Sequence, residues 1–116
     1  MAEFWYENAG EKGDITRVVL SGELDAAGCE YLLECVEKQV ANGYTKCVID
    51  CTKLTYISSL GLGALVRVHS RMKNKGGDVK LAGVSGAISK VFSVVGLDKV
   101  FQMYPSLDEA IAALGG

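Results

Sequence analysis

The chain has 116 residues, 49% hydrophobic and 22% charged, the length and balance of one globular domain around one core. A formal charge of −2 is too slight to draw it to nucleic acid or an anionic membrane by long-range attraction. No apolar run approaches the ~18 residues that cross a bilayer. The opening Met1-Ala2-Glu3-Phe4-Trp5-Tyr6-Glu7 lacks the basic and apolar regions of a signal peptide, so a cytoplasmic chain is expected.

In chain order, Phe4 to Glu7 and Asp14 to Leu20 read as strands, with Asn8 to Gly13 as a polar turn closing an antiparallel hairpin. After Ser21-Gly22-Glu23-Leu24, Asp25 can cap a helix whose apolar residues Cys29, Leu32, Leu33, Val36 and Val40 recur on one face. Glu30, Glu34, Glu37 and Lys38 fall on its wet side. Asn42-Gly43 stops that helix. Lys46 to Cys51 follows, nearly continuous in apolar residues, and is the candidate central strand.

A second helix is expected from Leu60 to Asn74, ended by Lys75-Gly76-Gly77, and Val79 to Ala82 reads as a strand. Ser85 opens a third helix with Ile88, Val91, Phe92 and Val95 inward and Gly96 at its close. Val100 to Tyr104 is the last strand candidate. Ser106 with Glu109 has the capping-box spacing before a short Ala-rich helix. Strands alternating with helices in this order predict a single α/β domain over residues 1–116, with a mixed sheet, parallel in its later strands, and the hairpin at one side. A single proline and no Ser/Gly/Pro-rich tract leave no linker, and no repeat occurs at solenoid periods.

The chain has four cysteines, Cys29, Cys35, Cys47 and Cys51. Cys47 and Cys51 on one strand would stand roughly 13 Å apart, and Cys29 and Cys35 on one helix about 9 Å, so neither pair closes a local disulfide. A long-range pair such as Cys29 with Cys51 stays open on spacing alone. Without CxxC or clustered histidines, buried structural thiols are expected rather than a metal or redox site.

The most informative stretch is Tyr56-Ile57-Ser58-Ser59-Leu60-Gly61-Leu62-Gly63, where two hydroxyls meet the start of the second helix. The unpartnered N–H groups and partial positive charge at such an end favour an anion, so a phosphate there would have local support. Taken alone, the pair reads first as ordinary capping by Ser58 or Ser59. Projected at 100° per residue, Leu62, Leu65, Val66, Val68, His69 and Met72 face the sheet. Leu60, Gly63, Ala64, Arg67 and Arg71 project away, as a docking strip or as a solvated face with an incidental leucine. His69 lies about 15 Å along the axis from Ser59 and cannot serve as its general base. Gly61-x-Gly63 lacks the Lys-Ser/Thr ending of a phosphate-binding loop. Catalysis is therefore not expected.

The ordered combination of Ser21-Gly22-Glu23-Leu24-Asp25, Cys47-Val48-Ile49-Asp50-Cys51, Tyr56 to Gly63, Gly76-Gly77 and Gly96-Leu97 resembles the bacterial STAS family. In particular it is similar to the stand-alone anti-sigma factor antagonists, over about Asp14 to Leu114. The resemblance implies a mixed sheet of four to five strands backed by about four helices. It also implies that Ser59 is phosphorylated by a partner serine kinase that is itself the anti-sigma factor. The unphosphorylated form would bind that partner and free the sigma factor, and a serine phosphatase would restore it.

The family pattern at this site is usually Asp-Ser-Ser/Thr-Gly. Here Ser58 stands in the place of the aspartate and Leu60 in that of the second hydroxyl, which keeps Ser58 as the alternative acceptor. The partner surface implied is Ser58, Leu60, Gly61, Gly63, Ala64 and Arg67, with Asp25 matching the acidic residue of the family's Gly-Glu-Leu-Asp segment. Capping of the first helix would by itself explain Asp25. Two other readings stay open: a constitutive interaction module, and a small-molecule or weak nucleotide binder using the turn's free N–H groups. None of these readings calls for a resident cofactor.

Overall fold

The first two strands pair as the expected antiparallel hairpin. In the computed structural model, which describes residues 3–9 and 13–115, β1 (Glu3–Ala9) runs antiparallel to β2 (Ile15–Leu24), with Ala9 opposite Ile15 and Glu7 opposite Arg17. Asn8 and Ala9 therefore belong to β1 rather than to the expected turn, because Thr16 and Ile15 are there to pair with them. Residues 10–12 of that turn, and Met1 and Ala2 of the leading segment, lie outside the described residues.

The rest of the chain is α1 (Ala26–Ala41), β3 (Lys46–Ile57), α2 (Ser59–Asn74), β4 (Asp78–Ala82), α3 (Gly86–Val94), a 3-10 turn (Leu97–Lys99), β5 (Gln102–Tyr104) and α4 (Leu107–Ala113). The five strands lie in the order β1-β2-β3-β4-β5, parallel from β2 onward, so the expected central strand is central. None of the described helices is long and apolar enough to cross a membrane.

Alternation along the strands divides the core. Val18, Leu20, Cys47, Ile49, Cys51, Val79 and Leu81 point to one face, where α1, α2 and α3 cover them with Leu32, Cys35, Leu65, Val68, Met72, Ile88 and Phe92. Ile15, Val48 and Ala82 point to the other face and meet Ala110 and Leu114 of the last helical segment. That second face also carries a polar network. Arg17 donates to Glu7 at 2.9 Å and to Asp50 at 3.4 Å, while the Thr52 hydroxyl and N–H donate to Asp50 at 2.6 and 3.0 Å.

Three further strand ends differ from expectation for identifiable reasons. β2 runs on through Ser21-Gly22-Glu23, because Gly22 at φ 80° takes up a bulge instead of ending the strand. β3 runs on to Ile57: its ladder with β4 stops at Asp50, but β2 follows it until Leu24 pairs with Ile57. This two-stranded extension buries Cys51, Leu54 and Ile57 at intervals of three, a pattern that conceals a strand. At the far end β5 is only Gln102–Tyr104, and Val95, expected inward, is 51% exposed. The chain turns at Gly96, φ 79°, and Leu97 enters the core in its place.

Candidate functional site

The pairing of Leu24 with Ile57 brings the ends of β2 and β3 level, so the next residues, Asp25 and Ser58, start α1 and α2 side by side. Each caps its own helix. Asp25 Oδ1 accepts from Gly28 N–H at 2.9 Å. Ser58 Oγ accepts from Gly61 N–H at 3.1 Å and donates to the Leu24 carbonyl at 3.2 Å. Both bonding directions of the Ser58 hydroxyl are thus occupied, and the second ties the start of α2 to the end of β2.

Ser59, one residue on, is the first residue of α2 and is exposed. Its hydroxyl makes no hydrogen bond among the described residues. The helix therefore begins one residue earlier than expected, with the two serines in unlike states: one built into the cap, the other facing solvent on the helix end. Leu60 beside it is 65% exposed, a large apolar side chain left on the surface.

The residues expected to project outward divide. Leu60, Gly63 and Arg67 do so, whereas Ala64 is buried, and so is Gly61, which the resemblance places on the partner surface. A Cβ on Gly61 would stand 2.7 Å from Ile57 Cγ1 and 3.1 Å from the Leu24 carbonyl oxygen. Arg71 is half-buried and held by Glu37 of α1, Nε to Oε1 at 2.7 Å. The helical projection assumed that only the sheet lies beneath α2, but α1 packs along it as well. The buried stripe is Gly61, Ala64, Leu65, Val68 and Met72, and it leaves Leu62, Val66 and His69 half-buried.

Between the two helices lies a groove of about 360 Å³, lined from α2 by Ser59, Leu60, Gly63, Ala64 and Arg67 and from α1 by Ala26, Cys29, Glu30 and Leu33. The α1 wall was not legible from that helix's own pattern, which marked Cys29 and Leu33 as core and Glu30 as solvated. The small pair Gly63-Ala64 was the available signal, since it leaves a gap wherever another helix runs alongside. Cys29 is 8% exposed, and burial, with Asp25 nearby, pushes its thiol pKa up. All four cysteines are buried and free, as structural thiols should be.

His69 belongs elsewhere. It stands edge-on to Phe101 with ring centroids 5.0 Å apart, and lines a separate recess of about 320 Å³ with Lys73, Asp78 and Lys80. Partial burial lowers its pKa, with smaller effects from the charges around it.

A family model described as STAS domain matches residues 6–110. The anti-sigma-F factor antagonist RsfB of Mycobacterium tuberculosis is 28% identical over 99 residues, spanning 84% of this chain and 79% of its own. The crystal structure of an anti-sigma factor antagonist from Mycobacterium paratuberculosis superposes with a TM-score of 0.84 at 25% identity, over 100% of this chain and 96% of that one. The Bacillus cell fate determinant SpoIIAA, solved in its phosphorylated form, has the same fold: TM-score 0.77 at 23% identity, over 96% of this chain and 98% of its own.

Proposed function

The chain belongs to the STAS domain family, and from that premise we propose that it is an anti-sigma factor antagonist whose docking surface is the start of α2 and whose binding is switched off by phosphorylation of Ser59. The role is regulated binding, not catalysis. Its partner is an anti-sigma factor that is also a serine kinase, and a serine phosphatase resets it.

The observation that carries this reading is the division of labour between the two serines. Ser58 Oγ is held between Gly61 N–H and the Leu24 carbonyl, so modifying it would cost the cap and the tie to β2. Ser59 is exposed, its hydroxyl makes no hydrogen bond among the described residues, and it borders the exposed Leu60 and the groove. The cap taken by Ser58 stands where the family's aspartate usually is, and it leaves Ser59 as the acceptor.

A phosphate on Ser59 adds about −1.5 to −2 charges at the rim of the docking surface. Within the free protein the end of α2 favours that anion by roughly 0.3 to 2 kcal/mol. In an interface the same anion, desolvated and unpaired, costs several kcal/mol. Each ~1.4 kcal/mol of mismatch weakens binding tenfold, so release outweighs the local gain.

The test is incubation of the chain with ATP and the serine kinase encoded nearest to it, followed by mapping of the modified residue by mass spectrometry. Phosphate on Ser59, abolished in Ser59→Ala and retained in Ser58→Ala, is the expected result. Phosphate on Ser58 would overturn the assignment, and no transfer at all would favour a constitutive interaction module.

A further inference from the structure

The groove beside Ser59 has a polarity that its apolar floor does not explain. Its floor is Cys29, Leu33 and Ala64, with Leu60 at the rim, and its two walls carry opposite charges: Glu30 on α1 and Arg67 on α2. Farther along the same two helices the arrangement recurs as Glu37 facing Arg71, and there it is closed by two hydrogen bonds of 2.7 and 3.1 Å. The pair nearer Ser59 is open. Neither Glu30 nor Arg67 has an ion pair or hydrogen bond among the described residues, and a Cβ built on Gly63, on the α2 wall between Ser59 and Arg67, would meet nothing within 4 Å.

We infer that this groove receives an aliphatic side chain of the partner protein, flanked on the partner by a basic residue toward Glu30 and an acidic residue toward Arg67. The inference rests on the docking role proposed for α2 and adds to it the second wall, the chemistry of the inserted segment and its direction. An aliphatic group suits a floor of thiol, leucine and alanine. The two unpaired charges then act as guides: with the segment reversed, Glu30 would meet an acid and Arg67 a base, and like charges facing one another in an interface suppress that orientation. Ser59 stands at the open end of the groove, so a phosphate there would add negative charge beside the inserted residue.

The probe is the purified anti-sigma factor kinase encoded nearest to this chain, with binding measured by isothermal titration calorimetry against wild type, Gly63→Leu and Arg67→Glu. Gly63→Leu projects into the groove from a position where the first added carbon meets nothing within 4 Å, and it replaces a helix glycine, so its thermal midpoint should equal or exceed that of wild type. Its affinity should fall by about tenfold or more. Arg67→Glu should likewise fall about tenfold or more, and binding of the wild type should weaken with added salt more steeply than that of the variant. If wild type binds and both folded variants bind equally well, the groove is not the contact and the inference fails while the antagonist reading stands. Loss confined to Arg67→Glu also overturns it, since charge alone would then suffice without insertion. Absence of wild-type binding defeats the antagonist reading itself, and the inference with it.

Discussion

Alanine at Gly63 should stabilise the domain and alanine at Gly61 should not, although the two positions lie two residues apart on α2. In a helix interior, glycine to alanine gains about 1 kcal/mol from backbone entropy. At Gly63 that gain is kept, because the new methyl meets nothing within 4 Å. At Gly61 the methyl would stand 2.7 Å from Ile57 Cγ1, 3.1 Å from the Leu24 carbonyl oxygen and 3.2 Å from Leu24 Cδ2. Overpacking of this kind costs about 1 to 3 kcal/mol. The Leu24 carbonyl cannot swing aside cheaply, since it accepts the Ser58 hydroxyl. To first order the propensity term is shared, so the difference between the two variants reports the steric cost. It should be about 1 to 3 kcal/mol, or roughly 4 to 12 °C in thermal midpoint at ~4 °C per kcal/mol for a domain of this length. The assay is thermal denaturation followed by far-UV circular dichroism, with urea midpoints as a second measure. Equal midpoints for the two variants would refute the close approach of α2 to the end of β2 on which the site's geometry depends.

Two further predictions concern ionisation. Burial would raise the Asp50 carboxyl, but the hydrogen bonds from Thr52 and the Arg17 guanidinium outweigh it and hold its pKa below the usual value. Its stabilisation is therefore full above the unfolded carboxyl pKa of about 3.9 and is lost as pH falls through the lower folded value. Asp50→Asn should flatten that acid limb in urea midpoints measured across pH, and an unchanged slope would count against the network. Burial also pushes the thiols up, Cys35 to about 11 and Cys51 to about 12, with Cys47 higher still. These three should resist a thiol reagent at pH 8 in the native state and react on denaturation. Fast native labelling of Cys47 would contradict its burial.

The architecture was readable because each helix carries its own stripe and stop signal, and because Cys47 to Ile49 is a continuous apolar run. What escaped was context that no single element contains. Ser21-Gly22-Glu23 looks like a loop until β3 is there to pair with it, and the period-three burial of Cys51, Leu54 and Ile57 fits neither helix nor ordinary strand alternation. At the site, the serine pair and the exposure of Leu60 and Arg67 were legible from spacing. The burial of Gly61 and Ala64 was not, because Gly61 sits against Leu24 and Ile57 at the strand ends and Ala64 in the groove beside α1, and the helix's own periodicity shows neither.

The strand order has a consequence for the kind of ligand this rim can take. Doubly wound sheets hold dinucleotides in the crevice that opens where successive crossovers leave in opposite directions and the helices part to the two sides. Here the parallel strands add one after another in a single direction, and α1, α2 and α3 all lie on one side. The winding never reverses. The carboxyl edge therefore presents helix starts in a row, with a shallow furrow between the first two, instead of a cleft between layers. Such an edge offers a flat, open rim where a doubly wound sheet would offer an enclosed crevice.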